Sequence, residues 1–119
     1  MKNLLIVFIG IVLIGCDDCK IVSGSYGDGM LTIKVDDSKV NGVLDFTQGE
    51  PEVTCYLEFE LTQNKKCSKS VKLIDSFGNE YEGKIEVREK ELFIQSLEPL
   101  GACQRIIDLN RGETFVLDE

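Results

Sequence analysis

The chain has no histidine and no tryptophan, and only two prolines and two methionines in 119 residues. Without histidine there is no side chain that titrates near neutral pH by itself. The serine–histidine and cysteine–histidine pairings of nucleophilic hydrolases are therefore excluded. Basic residues are also scarce. Thirteen Lys and Arg face 21 Asp and Glu, a formal net charge of −8. That balance argues against nucleic acid as a partner, because phosphates attract clusters of Lys and Arg. Long apolar runs are confined to residues 4–14. Eleven residues fall short of the ~20 that a membrane-crossing helix needs.

Several chemical motifs fail on inspection. Gly24, Gly27 and Gly29 precede a strand pattern rather than a helix, so they read as turn residues and not as a phosphate cradle. In the stretch Asp36-Asp37-Ser38-Lys39-Val40-Asn41-Gly42, Val40 stands at the fifth position, where a calcium loop needs an oxygen ligand, and Lys39 brings positive charge. Ser68-Lys69-Ser70 could form a serine–lysine pair but has no oxyanion motif beside it, and reads as a solvated turn. Paired carboxylates for glycoside hydrolysis are matched by chance in so acidic a chain. No catalytic residue and no cofactor is expected.

What the chain does have begins at its start. Met1-Lys2-Asn3 is a short basic segment, the apolar run follows, and Gly15 is a small residue before Cys16. Leu13-Ile14-Gly15-Cys16 closely resembles the lipobox of bacterial lipoproteins. The resemblance covers residues 1–18. It implies cleavage before Cys16 and acyl chains on Cys16, which attach a protein stably when there are two or more. The expected organisation is a signal peptide at 1–15, a lipidated tether at 16–24 and a β domain at 25–119. In many Gram-negative lipoproteins an aspartate after the lipidated cysteine implies retention at the inner membrane, and Asp17 stands there. The implied address is the bacterial cell membrane, facing the periplasm or the exterior. Cleavage removes one lysine and no acid, so 12 basic residues would face 21 acidic ones, a net charge of −9. Such a domain has no polybasic grip on anionic lipid.

Four cysteines remain: Cys19, Cys55, Cys67 and Cys103. No two of them form a C-x2-C pair, so zinc is not expected. An even count in an exported small domain reads as two disulfides. Sequence alone allows three pairings. Cys55 lies on the apolar face of a strand and Cys103 begins another, which favours Cys55–Cys103 with Cys19–Cys67.

Beyond residue 30 the pattern is period-two. Leu31, Ile33 and Val35 alternate with polar neighbours, as do Val40, Gly42, Leu44 and Phe46. Val53, Cys55, Leu57, Phe59 and Leu61 share one face. Further strands are expected at 71–74, 81–87, 91–97, 103–109 and 114–117. Residues 23–29 read as a turn. Eight strands with short connections predict antiparallel pairing, in a small all-β barrel or a two-sheet sandwich. Val40-Asn41-Gly42-Val43-Leu44-Asp45-Phe46 and Tyr81-Glu82-Gly83-Lys84-Ile85-Glu86-Val87 share one order of residue types. Each puts a glycine on the presumed inner face, where a bend is possible.

The function expected is non-catalytic capture of a basic protein. Size, charge and address are similar to those of small envelope lipoproteins that inhibit lysozymes or confer immunity to wall-degrading toxins. The expected contacts are Asp36 and Asp37 in one turn, Glu50 and Glu52 around Pro51, and Tyr56 with Glu58 and Glu60 on an outer strand face. Tyr26 is expected near the surface of the glycine-rich entry. A lipocalin-like carrier of an apolar ligand and an accessory subunit of an envelope complex are the alternatives. A monomer is expected.

Overall fold

Strict alternation forces one set of side chains inward, and the structure follows it strand by strand. The computed structural model describes residues 19–119; Cys16, Asp17 and the expected signal segment lie outside the described residues. The strands are β1 (Gly24–Tyr26), β2 (Leu31–Asp36), β3 (Lys39–Gln48), β4 (Val53–Thr62), β5 (Ser68–Asp75), β6 (Glu80–Arg88), β7 (Glu91–Ser96) and β8 (Glu113–Val116). They form one antiparallel sheet in sequence order. The first and last strands then meet. Tyr26 bridges to Leu117, the Gly27 amide donates to the Val116 carbonyl at 2.8 Å, and the Asp118 amide to the Ser25 carbonyl at 2.8 Å. The result is a nearly closed barrel rather than a two-sheet sandwich.

Leu31, Ile33, Leu44, Leu57, Leu73, Ile85, Leu92 and Ile94 are buried within one continuous cluster. Tyr26 joins them, and its hydroxyl donates to the Val22 carbonyl at 2.7 Å. It is a core residue, not a surface one. Cys19 and Ile21 are also buried, so the segment read as tether packs on the barrel from Cys19 onward.

Three segments differ from expectation. Ser68-Lys69-Ser70, read as a solvated turn, opens β5 and pairs with Glu86, Ile85 and Lys84 of β6. Residues 24–26 form a strand, because Tyr26 must turn inward to close the sheet and Gly24 and Ser25 accept an extended backbone. Residues 103–109 do not form one. A 3-10 helix occupies Gly101–Arg105 and an irregular segment follows. The apolar positions there are Cys103, Ile106, Ile107 and Leu109. Their spacing of three and four suits a helical turn rather than a strand.

The two similar stretches fall in β3 and β6, and both glycines are buried. A Cβ on Gly42 would lie 2.2 Å from the Phe59 ring, and one on Gly83 would lie 2.8 Å from Leu73 Cδ1. Phe59 and Leu73 are both buried, on β4 and β5, the two strands of one junction. Among consecutive strands that junction has the fewest paired residues, only Leu57↔Asp75 and Glu58↔Ile74, against ten pairs between β3 and β4. The glycines thus make room on both sides for the two bulky side chains that fill the inside of a splayed seam.

Because every connection is a hairpin, the turns fall alternately at two ends. The entry end carries 37–38, 63–67 and 89–90. The far end carries 27–30, 49–52, 76–79 and 97–112. Each end has one disulfide. Cys19–Cys67 ties the incoming chain to the entry end, and Cys55–Cys103 ties the 3-10 helix to β4 at the far end.

Candidate functional site

The residues expected to make contacts are spread over the barrel. Asp36 and Asp37 sit at the entry end, where Asp37 takes a left-handed φ of 59°. Glu50 and Glu52 sit at the far end. The ten residues of β3 separate the two turns, about 30 Å at the usual rise of a strand. Tyr56, Glu58 and Glu60 lie between them on the outer wall.

The structure brings only part of that wall together. The Tyr56 hydroxyl donates to Glu58 Oε2 at 3.0 Å. This bond, then the Glu58 charge and more weakly Asp45, raises the pKa of the phenol. Asp45 lies directly opposite Tyr56 in register. It was not singled out from sequence, because cross-strand register is set by turn lengths that alternation alone does not give. Glu60 pairs with Lys39 at 3.1 Å, which offsets its charge. Beside it a groove of about 210 Å³ runs along the splayed seam, lined by Asn41, Val43, Glu58, Glu60 and Ile74.

The far end holds a larger cleft, of about 380 Å³. Met30, Phe46, Ile106, Ile107 and Phe115 supply its apolar side, and Asp28, Asp108 and Glu113 stand at its polar side. Phe46 and Phe115 come from β3 and β8, Met30 from the 27–30 turn, and the isoleucines from the segment after the 3-10 helix. Cys55–Cys103 holds that segment in place, since the Ile106 and Ile107 amides both donate to the Cys103 carbonyl, at 3.1 and 3.0 Å. Asp118 fixes the opposite wall. Its carboxylate accepts from the Asp28 and Gly29 amides at 2.8 and 2.9 Å. The bond from Asp28 leads in holding the Asp118 pKa below the usual carboxylate range, against some desolvation. The cleft was not foreseen from sequence. The signal for it was the spacing of Cys103, Ile106 and Ile107, which fits no strand.

The connections at this end carry Asp28, Glu50, Glu52, Glu98 and Asp108 against Arg105 and Arg111. At the entry end Lys20, Lys65, Lys66 and Lys90 face Asp37, Glu89 and Glu119, so no negative charge is in excess there. Among the described residues, Asp28, Glu50, Glu52 and Glu113 make no ion pair. The excess negative charge is therefore concentrated at the end away from Cys19.

One more feature marks the far end. Phe77 is 89 % exposed at the tip of the 76–79 turn. The turn is held by Asp75, which accepts from the Phe77 amide at 3.0 Å, the Asn79 amide at 2.9 Å, Asn79 Nδ2 at 3.1 Å and the Tyr81 hydroxyl at 3.0 Å. Desolvation pushes the Asp75 pKa up, but these bonds outweigh it and leave the carboxyl below its ordinary value.

Lys69 lies at the start of β5, next to the 63–67 turn. Its ammonium donates to the Thr62 carbonyl at 3.1 Å and to Asn64 Oδ1 at 2.6 Å, while desolvation and then Lys66 lower its pKa. Among the described residues no three Cys, Asp or Glu side chains converge as metal ligands. No helix of the described residues is long and apolar enough to cross a membrane. Comparison with family models, curated proteins and solved structures finds no match to this chain.

Proposed function

We propose that this chain is a non-catalytic lipoprotein of the bacterial envelope that captures a basic protein at the far end of its barrel. The partner class is a wall-degrading enzyme, with the chain acting as its inhibitor or immunity protein. The observation that carries the reading is the concentration of unneutralised acids around an open cleft, at the end opposite the entry of the chain.

The tether gives that placement a purpose. Only Asp17 and Asp18 separate Cys16 from Cys19, a reach of at most about 10 Å. Cys19 is bonded to Cys67 at the entry end. Acyl chains on Cys16 would therefore hold the entry end toward the membrane and present the far end outward. Phe77 would add an apolar anchor on a turn that loses little entropy on binding. Against the carrier reading, the chain's own side chains occupy the barrel interior as one buried cluster.

The test is capture from envelope extract by the full chain in detergent, under oxidising conditions, followed by association kinetics with the captured protein. A basic partner is expected, with an on-rate that falls steeply with salt while the off-rate changes less. Glu50→Lys with Glu52→Lys should slow association without lowering the melting temperature, because exposed charges contribute little to stability. Capture of an acidic partner alone, or kinetics insensitive to salt, would overturn the reading.

A further inference from the structure

We propose that the far-end cleft receives an arginine side chain of the partner protein. The inference rests on reading the chain as a binder of a basic protein, and it names what that protein presents.

Size comes first. A volume of about 380 Å³ is at the bottom of the range for small-molecule pockets, ~300–1,000 Å³. That suits one long side chain better than an extended ligand. Chemistry comes second. An arginine has an apolar stem and a cationic head, and long cationic side chains lay their stems on apolar surface while the head stays at the polar rim. Met30, Ile106 and Ile107 offer the stem its surface. Phe46, only half-buried, offers an aromatic ring, on which a guanidinium stacks better than an ammonium, and Phe115 backs the cleft from the core.

Charge comes third. Asp28 and Glu113 are exposed at the cleft, and among the described residues neither carboxylate has a hydrogen-bond or ion-pair partner. Asp108 is different. It accepts from Gln104 Nε2 at 3.3 Å and from the Arg111 amide at 3.3 Å, and its other oxygen lies 3.9 Å from Arg111 Nε. Asp28 and Glu113 are thus the groups left to meet an incoming cation. A guanidinium fork can address two carboxylates at once. The walls are held in advance, by Asp118 on the 27–30 turn and by Cys55–Cys103 behind the isoleucines. Little ordering is required on binding.

The experiment is a titration of the full chain in detergent micelles, read by the methyl NMR signals of Met30, Ile106 and Ile107. The probe is N-acetylarginine amide, and its neutral isostere N-acetylcitrulline amide is the control. The arginine probe should shift those methyls saturably with a roughly millimolar dissociation constant. The citrulline probe should bind at least about tenfold more weakly, a difference on the scale of one charge-assisted contact. Asp28→Asn with Glu113→Gln should abolish the difference between the probes. Equal binding of both probes, or shifts confined to other methyls, would overturn the proposal. The wild-type comparison stands even if the double variant misfolds. Capture of a basic protein that survives Asp28→Asn with Glu113→Gln would overturn the arginine proposal and leave the functional reading in place. Selective arginine binding without capture of any basic protein would do the reverse.

Discussion

Two glycines that look alike in sequence act on opposite sides of one seam. Gly42 and Gly83 each leave space for a bulky neighbour, Phe59 or Leu73. The requirement is for volume, not for an unusual backbone angle. Gly42→Ala should therefore destabilise the barrel by about 1–3 kcal/mol, the range for overpacking a filled core. Phe59→Leu should recover part of that loss, and a double-mutant cycle by urea unfolding would measure the coupling. Strict additivity would show that Phe59 is not what Gly42 accommodates. Asp75 gives a second prediction at this scale. Its folded pKa lies below its unfolded value, ordinarily ~3.9. Its support for the 76–79 turn is therefore fully present above that value and is lost as pH falls through the lower folded pKa. Hydrogen exchange at the Phe77 and Asn79 amides should speed up in acid beyond the intrinsic pH effect. Asp75→Asn should remove the extra dependence, and an unchanged profile in the variant would exclude Asp75 as its source. Residue-scale features were partly legible. Alternation put Tyr56 and Glu58 on one outer face. It did not reveal Asp45 beside them, nor that Tyr26 turns inward to meet Leu117.

The strands β2 to β8 were legible as elements, because each has one face in the core and one in water, so period two survives in the sequence. The errors came where that condition fails. A three-residue strand such as β1 is too short to show a period. The segment 103–109 caps the barrel instead of forming its wall, and its apolar residues follow a helical spacing. The disulfides belong to this scale because each joins elements at one end. Both close loops with a sequence separation of 48 residues, so in the chain-entropy account each should contribute ~2–4 kcal/mol. Their local effects should differ. Cys55→Ala with Cys103→Ala should raise hydrogen exchange at Ile106 and Ile107. Cys19→Ala with Cys67→Ala should raise it around Ile21 and Val87, since the Val87 amide donates to the Cys67 carbonyl at 2.7 Å. Equal loosening at both ends from either pair would show that the bridges do not act locally.

At the scale of the molecule the barrel is polar end to end. The entry end carries no excess negative charge and holds the incoming chain; the far end is acidic and holds the cleft and Phe77. Net charge and the resemblance of residues 13–16 to a lipobox were visible in the sequence. The polarity was not, because it depends on which turns share an end, and Asp36 and Asp37 prove to lie at the other end from Glu50 and Glu52. The central claim is that the far end is the binding face. It is tested most directly by placing a photo-crosslinking phenylalanine analogue at position 77, and in a second variant at position 89, in cells carrying the full chain. The account predicts a strong adduct from position 77 with a protein of basic isoelectric point, lost on high-salt treatment before illumination, and little adduct from position 89. A dominant adduct from position 89, or an acidic protein bound at position 77, would contradict it.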